Sequence, residues 1–234
     1  MNRRKTKQNI VDLLLRSDLS RIHEEIKTFP EKHAVNALFA CLCHQQETVR
    51  WHAVSAFGIL LSGIVRRNLE AARTIMRRFL WMLNDESGGI GWGVPEAMAE
   101  AMFHSNALAD EYIHMLVSYA MVDGPELFQD GNFMELDRMQ EGVLWGLCRV
   151  APKYRRELVQ MGLGKNLAVY FKSNNKVVRG LVCRLSGILS LAHYRTNLDE
   201  ALSDRGSVRY YLDGVFTDTT ISELAEAALN NLEP

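Results

Sequence analysis

Proline is scarce in this sequence, and the short motifs that mark many enzymes and metal sites are missing. Only 5 of the 234 residues are proline, too few for the frequent turns of a strand-rich fold. The chain contains no HExxH, no GxSxG and no pair of CxxC motifs, so zinc hydrolases, serine hydrolases and zinc ribbons lack their signatures. Helices are therefore favoured, and we expect no metal ion, no cofactor and no catalytic residue.

Long apolar runs and cysteine pairs are also lacking. We expect no stretch long and apolar enough to span a membrane. Asp12 and Arg16 interrupt the apolar segment that follows the basic start, which makes a poor signal peptide. Cys41 and Cys43 precede His44, but two positions on a helix point about 200° apart, so we expect core cysteines and no metal. The four cysteines suit a reduced, cytoplasmic protein.

No charge of one sign dominates the chain. The net charge is −1 and the pI is near 6.7, which argues against a dedicated nucleic-acid binder. Basic residues nevertheless cluster at 3–7 and 66–78, and acidic residues cluster at 123–137. Most such clusters are solvated surface.

Two segments of the chain match each other closely. Val49-Arg50 and Val178-Arg179 are each followed, after seven residues, by Gly-Ile-Leu. The offset is 129 residues, three times 43, and a period of this size indicates stacked helical units.

A weaker pattern of small and apolar residues supplies the two intermediate copies. Each copy lies on a helix that follows another apolar-periodic helix, near 33–43, 69–83, 110–121 and 158–171. Small side chains at these positions would let neighbouring helices approach closely. The four copies are Trp51/Ala53/Ala56/Gly58, Trp92/Val94/Ala97/Ala99, Glu141/Val143/Gly146/Cys148 and Gly180/Val182/Leu185/Gly187.

The repeated motif V-R-x7-G-I-L and the paired helices give the sequence a resemblance to HEAT-repeat proteins over residues 31–192. It is most similar to the short bacterial HEAT-like repeats related to phycobilin lyases. The resemblance implies an all-α solenoid of about four helix pairs whose second helices line a concave face. HEAT repeats usually carry an Asp six residues before the Arg, where this chain has His44 and Ser173. We therefore expect Arg50 and Arg179 to be available to another partner.

The two ends differ from the repeats, as solenoid caps do. Residues 8–28 predict two short helices split near 17–19. At the other end Asp213-Gly214 predicts a β-hairpin between Val208–Leu212 and Val215–Thr219, and Thr220 with Glu223 predicts a capping box that opens a final helix. The expected organisation is an N-terminal cap over 1–30, repeats over 31–195 and a hairpin-and-helix cap over 196–234.

We expect a binding surface on the second helix of each pair, formed by the residues of one register that faces away from the core. Three of the four tryptophans fall on this register, and tryptophan is enriched in binding sites. Packing between repeats as core is the alternative for these indoles. The predicted binding residues are Trp51, Ser55, Trp92, Glu96, Glu141, Trp145 and Arg184, with Gly89 and Gly91 of the glycine-rich loop 85–95 at the edge.

The loop 85–95 carries four glycines and ends in a proline suited to the first turn of a helix. Free amides at a helix start can bind an anion, although a flexible connection explains the composition equally well. The loop fits neither a P-loop nor a dinucleotide fingerprint.

A non-enzymatic scaffold that binds a protein or peptide is the favoured function. The alternatives are a HEAT-like DNA glycosylase, whose aromatic and carboxylate side chains would hold damaged DNA, and a lyase or chaperone for a bilin-type cofactor. The neutral pI disfavours the glycosylase, and the lyase rests on fold alone. The oligomeric state is left open.

Overall fold

A computed structural model describes residues 3–84, 91–124 and 132–232. It divides the chain into two compact units, Met1–Tyr112 with Tyr211–Val215, and Ile113–Tyr210 with Phe216–Pro234. Most of the described chain is helical, and one two-stranded sheet accompanies the helices. The all-α class expected from the sequence is confirmed.

The first unit begins with two short helices and continues as pairs. Its helices are α1 (Arg3–Arg16), α2 (Leu19–Glu25), α3 (Glu31–Cys41), α4 (Glu47–Arg67), α5 (Leu69–Leu83) and α6 (Val94–Phe103). The predicted break between the first two helices is confirmed. There the side chain of Asp18 accepts a hydrogen bond from the backbone N–H of Arg21 at 2.9 Å and caps α2.

Helix α4 is the central helix of the first unit, where it contacts α1, α2, α3, α5 and α6. By length and composition its 21 residues could cross a membrane, which corrects the expectation that no stretch would qualify. Within the protein, however, 67% of its apolar window is buried. The ring of Phe57 packs edge-on against Phe39 and Phe79, with centroid distances of 5.0 and 5.1 Å. Helix α4 is thus the core helix of this unit.

The second unit contains the helices that follow α7 (Asn106–Ser118) and most of the hairpin. Helix α7 spans the division; α8 (Asp137–Gln160), α9 (Lys176–Leu189), α10 (Arg195–Ala201), β1 (Ser207–Leu212), β2 (Val215–Thr220) and α11 (Ile221–Asn230) follow. Residues 211–215, at the turn of the hairpin, belong to the first unit.

The helix predicted near 158–171 is wrong. Leu158 lies in the last turn of α8, and 3-10 turns at Leu163–Lys165 and Ala168–Lys172 replace the expected helix. The cause is Gly162, whose φ of 81° is left-handed and ends α8. Helix α8 is also bent, because Pro152 lies inside it and Tyr154 leaves the helical region.

The C-terminal hairpin and helix are confirmed. Asp213 and Gly214 both adopt positive φ, 48° and 89°, as a two-residue type I′ turn requires. Thr220 accepts from the backbone N–H of Glu223, and the Glu223 side chain accepts from the backbone N–H of Thr220. This capping box begins α11.

The small residues of the repeat pattern allow close helix contacts, as predicted. A Cβ added to Gly58 would lie 3.0 Å from the backbone oxygen of Glu100 on α6. A Cβ added to Gly187 would lie 2.6 Å from Cα of Ala228 on α11. Gly58 and Gly187 occupy the same position of the repeat pattern. In the first unit this position contacts α6, and in the second unit it contacts α11.

Candidate functional site

The predicted surface on α4 is covered by the turn of the hairpin. The indole of Trp51 stacks on the ring of Tyr211 at 5.2 Å between centroids and 17° between planes. Ser55 donates from its hydroxyl to the Tyr211 hydroxyl at 3.3 Å, and the ring of His52 also lies against Tyr211. Trp51 remains half-buried, so this face of α4 holds the hairpin.

The outward orientation predicted for Ser55 is therefore corrected, since Ser55 is 3% exposed. The prediction assumed that α4 buries one face only. Instead, helices and the hairpin turn surround α4 on most sides, and its polar residues find partners inside. His52, also buried, shows the same behaviour, because its Nδ1 lies 2.6 Å from the backbone oxygen of Leu14.

Trp92 lies in the turn just before α6, not on the helix as predicted, and is exposed, with 46% of its surface accessible. Its backbone oxygen accepts a weak bond from the thiol of Cys43, with a sulfur–oxygen distance of 3.9 Å. Gly91 precedes it in a turn and is buried, whereas Gly89 lies outside the described residues. Pro95 occupies the first turn of α6, as expected. The exposed orientation predicted for Trp92 is confirmed.

Glu96 does not lie on the surface with Trp92. Only 8% of Glu96 is exposed, so the predicted solvent-facing carboxylate is corrected. Helix α6 is buried along almost its whole length, so its glutamates are buried together with its apolar residues.

A buried polar group on α6 escaped the sequence analysis. Glu100 is 2% exposed, and its Oε2 lies 3.3 Å from Nε2 of His104. The ring of His23 meets that of His104 edge-on at 6.5 Å. Burial raises the pKa of Tyr211, and the charge of Glu100 adds to that rise. The available signal was a second glutamate one turn after Glu96 in an otherwise apolar helix.

In the second unit, Glu141 joins α8 to the start of α9. It accepts from Asn175 Nδ2 at 2.7 Å and from Arg138 at 2.8 Å. Asn175 itself caps α9 by accepting from the backbone N–H of Val177 and Val178. Glu141 therefore makes a structural contact between α8 and the start of α9, in addition to any binding role.

Trp145 and Arg184, the other predicted site residues of this unit, are placed differently. Trp145 is 4% exposed, which corrects its predicted outward orientation; the bulk of the indole is core of α8. Arg184 is half-buried. Its guanidinium lies 4.9 Å from the centre of the Tyr210 ring and donates to the Tyr210 hydroxyl at 3.3 Å.

The two repeat arginines are engaged, contrary to expectation. Arg50 Nη1 donates to the backbone oxygen of His44 at 2.8 Å. Arg179 Nη1 donates in the same way to Ser173 at 2.8 Å, and its Nε donates to Asp204 Oδ2 at 2.8 Å. In both matched segments, a backbone carbonyl six residues earlier accepts a hydrogen bond from the arginine.

Arg179 also lines a cavity of about 510 Å³ in the second unit. Lys172, Asn197 and Glu200 contribute polar groups to its wall. Phe171 contributes an apolar surface. Because Lys172 and Arg179 are balanced by two carboxylates, Glu200 and Asp204, the cavity has no strong preference for a charged ligand.

The cysteines near the start of α4 do not share one environment. Cys41 is buried, and burial raises the pKa of its thiol to about 11. Cys43 is exposed, so the expectation of a core cysteine is confirmed for Cys41 and wrong for Cys43. Within residues 3–84, 91–124 and 132–232, no group of three His, Cys, Asp or Glu side chains could hold a metal ion.

Trp81 is the tryptophan that was not among the predicted binding residues, and it is 63% exposed. It lies on α5 one turn after Arg77, which pairs with Glu70. Its spacing of four from Arg77, on the arginine-rich side of the helix, was the signal that could have marked it as a surface residue.

No protein-family model and no curated protein matches the chain. Solved structures of helical repeat proteins do resemble it. A designed armadillo repeat protein in complex with the peptide (KR)4 has a TM-score of 0.56 and 16% identity, with 96% of this chain and 98% of that chain covered. Computationally designed armadillo repeat proteins for modular peptide recognition give 0.55 and 14%, covering 97% and 92%.

An engineered protein from a structural genomics consortium gives a TM-score of 0.56 and 13% identity, with 100% of this chain and 99% of that chain covered. Identities this low show the fold alone. With the helix pairs and the hairpin described above, they define the class: this protein is an α-solenoid of helical repeats with a small C-terminal β-hairpin and helix.

Proposed function

We propose that the protein is a non-catalytic repeat scaffold that binds a peptide or a segment of another protein. Two of the similar solenoids are described as peptide binders, and stacked helices offer extended surfaces that need no catalytic group. The observation that carries the proposal is Trp92, an exposed indole in the turn that precedes a repeat's second helix.

An exposed tryptophan is costly to leave in water and valuable at an interface. The indole buries a large area with few rotamers to freeze, so such residues often dominate binding energies. Trp92 is 46% exposed and Trp81 is 63% exposed, whereas the core tryptophan Trp145 is not. We propose Trp92 as the main anchor and Trp81 as a separate one on α5.

Within the solenoid class, we propose the HEAT type. Each repeat consists of two helices, as in the pairs α3–α4 and α5–α6, whereas armadillo repeats have three. The matched V-R-x7-G-I-L segments support the same assignment, because their arginines make equivalent bonds to a residue six positions earlier.

The test is a peptide array probed with the intact chain, followed by calorimetric titration of the best peptides. We expect Trp92→Ala to weaken a selected peptide by about 2 kcal/mol, roughly 30-fold. Val159→Ala is the matched control, since Val159 is an exposed apolar side chain on α8 and its truncation should leave affinity unchanged.

Two results would overturn the proposal. One is an array on which no sequence binds better than its scrambled version. The other is a selected peptide whose affinity is the same for wild type, Trp92→Ala and Trp81→Ala.

A further inference from the structure

A second cavity, of about 420 Å³, lies between α1 and α3 in the first unit. Helix α1 lines it with Arg3, Arg4 and Lys7, and α3 lines it with His33, Asn36 and two alanines. Among the residues that the structure describes, no carboxylate lines it. Its volume is in the range of small-molecule sites, and five of its seven lining residues carry cationic or hydrogen-bonding side chains.

The neighbouring contacts leave donor groups on this wall. Asn36 Oδ1 accepts from Arg78 Nη1 at 2.8 Å, so the amide nitrogen of Asn36 is the group left for a ligand. Arg78 is fixed by its position 3.8 Å from the centre of the Phe39 ring. His33 Nδ1 is buried and has no hydrogen-bond partner among the described residues.

The stability of α1 does not account for these cations. Its first turn carries basic residues and no acidic one, although the positive end of the helix dipole disfavours cations there. In the part of the chain that the structure describes, neither Arg3 nor Lys7 forms an ion pair with a carboxylate. Lys7 lies close enough to α3 for its charge to oppose the burial that raises the pKa of Cys41.

We propose that this cavity binds a phosphoryl group, presented by a small phosphate monoester. A phosphate monoester carries nearly two negative charges and three strong acceptor oxygens, which matches several cationic donors better than a single carboxylate does. Guanidinium groups bind phosphate through paired N–H donors. Ala37 and Ala40 leave space for the group to approach α3. This site is independent of the peptide surface proposed above.

Calorimetric titration with O-phosphoserine, inorganic phosphate and serine tests the site. We expect saturable binding of O-phosphoserine, weaker binding of phosphate and none of serine. Lys7→Glu should weaken O-phosphoserine about tenfold or more, because it removes a charge-assisted bond and adds repulsion. Arg3→Gln should weaken it as well, without reversing a charge.

Lys5→Glu is the matched control. Lys5 is exposed on the same helix and makes the same change of charge, but it does not line the cavity; its effect should stay below about twofold, as expected for a screened charge. Equal losses for Lys5→Glu and Lys7→Glu, or no saturable binding of either phosphate compound at millimolar concentration, would overturn the site.

Vesicles separate a lipid source of the phosphoryl group from a soluble one. Phosphatidic acid, a monoester, should compete with O-phosphoserine if lipid is a ligand, and the competition should require Lys7 and not Lys5. Binding to phosphatidylserine vesicles that both variants reduce equally, with no binding of O-phosphoserine, would show a general basic surface and contradict the proposal.

Discussion

Arg50 donates from Nη1 to the backbone oxygen of His44, six residues earlier, at 2.8 Å. Arg179 makes the same bond to Ser173, also at 2.8 Å. The two matched segments of the sequence therefore share the same arginine-to-main-chain bond. In each case the bond ties the start of a second helix to the loop before it.

Removing this bond should destabilise the fold. We expect Arg179→Ala to lower the free energy of unfolding by about 1–3 kcal/mol, since charge-assisted bonds to Ser173 and Asp204 are lost from a partly exposed position. Urea unfolding followed by circular dichroism measures the change. Arg156→Ala, on an exposed part of α8, is the control and should change stability by less than about 0.5 kcal/mol. Equal midpoints for the two variants would show that the bond contributes nothing.

The partner of Arg179 predicts a dependence on pH. Burial by itself would raise the pKa of Asp204, but hydrogen bonds from Arg179 and from the amide of Gly206 outweigh it and leave the pKa below its usual value. A carboxyl whose pKa is lower in the folded state stabilises the fold above its unfolded pKa, and this stability is lost as pH falls through the folded pKa. From about pH 5 towards pH 3, wild type should therefore lose stability more steeply than Asp204→Asn. Parallel curves would contradict the assignment.

The repeat glycines predict opposite outcomes for similar substitutions. Gly187→Ala should cost about 1–3 kcal/mol, because the new methyl would meet the backbone of Ala228 at 2.6 Å. Gly58→Ala should also destabilise, through Glu100 and His104. Gly63→Ala, in the same helix as Gly58, meets only the flexible ends of Arg67 at 3.5 Å and Arg66 at 3.9 Å and should stabilise by up to about 1 kcal/mol. Thermal melts distinguish the three, and a stable Gly187→Ala would mean that α11 yields easily.

Truncation of two tryptophans should separate core from surface. Trp145→Ala should cost about 3–5 kcal/mol of stability, because only 4% of the residue is exposed. Trp92→Ala should cost less than about 1 kcal/mol, since 46% of it is accessible. Urea melts of both variants provide the measurement. If Trp92→Ala proves as damaging as Trp145→Ala, the indole is a structural residue and its role as a binding anchor fails.

Duplex DNA should not bind with submicromolar affinity at physiological salt. The net charge is −1, and arginines of the basic 66–78 region are paired with carboxylates, Arg67 with Glu31 and Arg77 with Glu70, which reduces the number available to phosphates. Fluorescence anisotropy over a range of salt concentrations measures this. Submicromolar binding with a steep salt dependence would instead favour the DNA glycosylase alternative.

Local and periodic features were predictable from the sequence. The Asp213-Gly214 turn, the Thr220–Glu223 capping box and the small residue at Gly58 each depend on a few neighbouring residues, and all three were confirmed. Periodicity also located the helix pairs. It failed at 158–171, where the left-handed Gly162 ends α8 although the apolar spacing continues.

Surface positions were harder to predict, because they depend on partners that are distant in sequence. Ser55 is buried by Tyr211, which follows it by 156 residues. No spacing within α4 could reveal that contact. The outward orientations predicted for Trp145 and Glu96 were wrong for a related reason. A helix that is surrounded by others has no outer face, so its register cannot identify exposed residues. Trp92 is exposed as predicted, although it lies in the turn before α6 and not on the helix itself.

The position of α11 against Gly187 has a consequence for engineering longer arrays. An extra helix pair appended after α9 would have to displace α11, which already occupies the face of α9 that carries Gly187. Insertion ahead of α9 would keep α9 and α11 together with the core of Cys183, Leu198, Val208, Ile221 and Leu224. Such an array would also have to provide a partner for Tyr211 at the hairpin turn, whose ring stacks on Trp51 of α4.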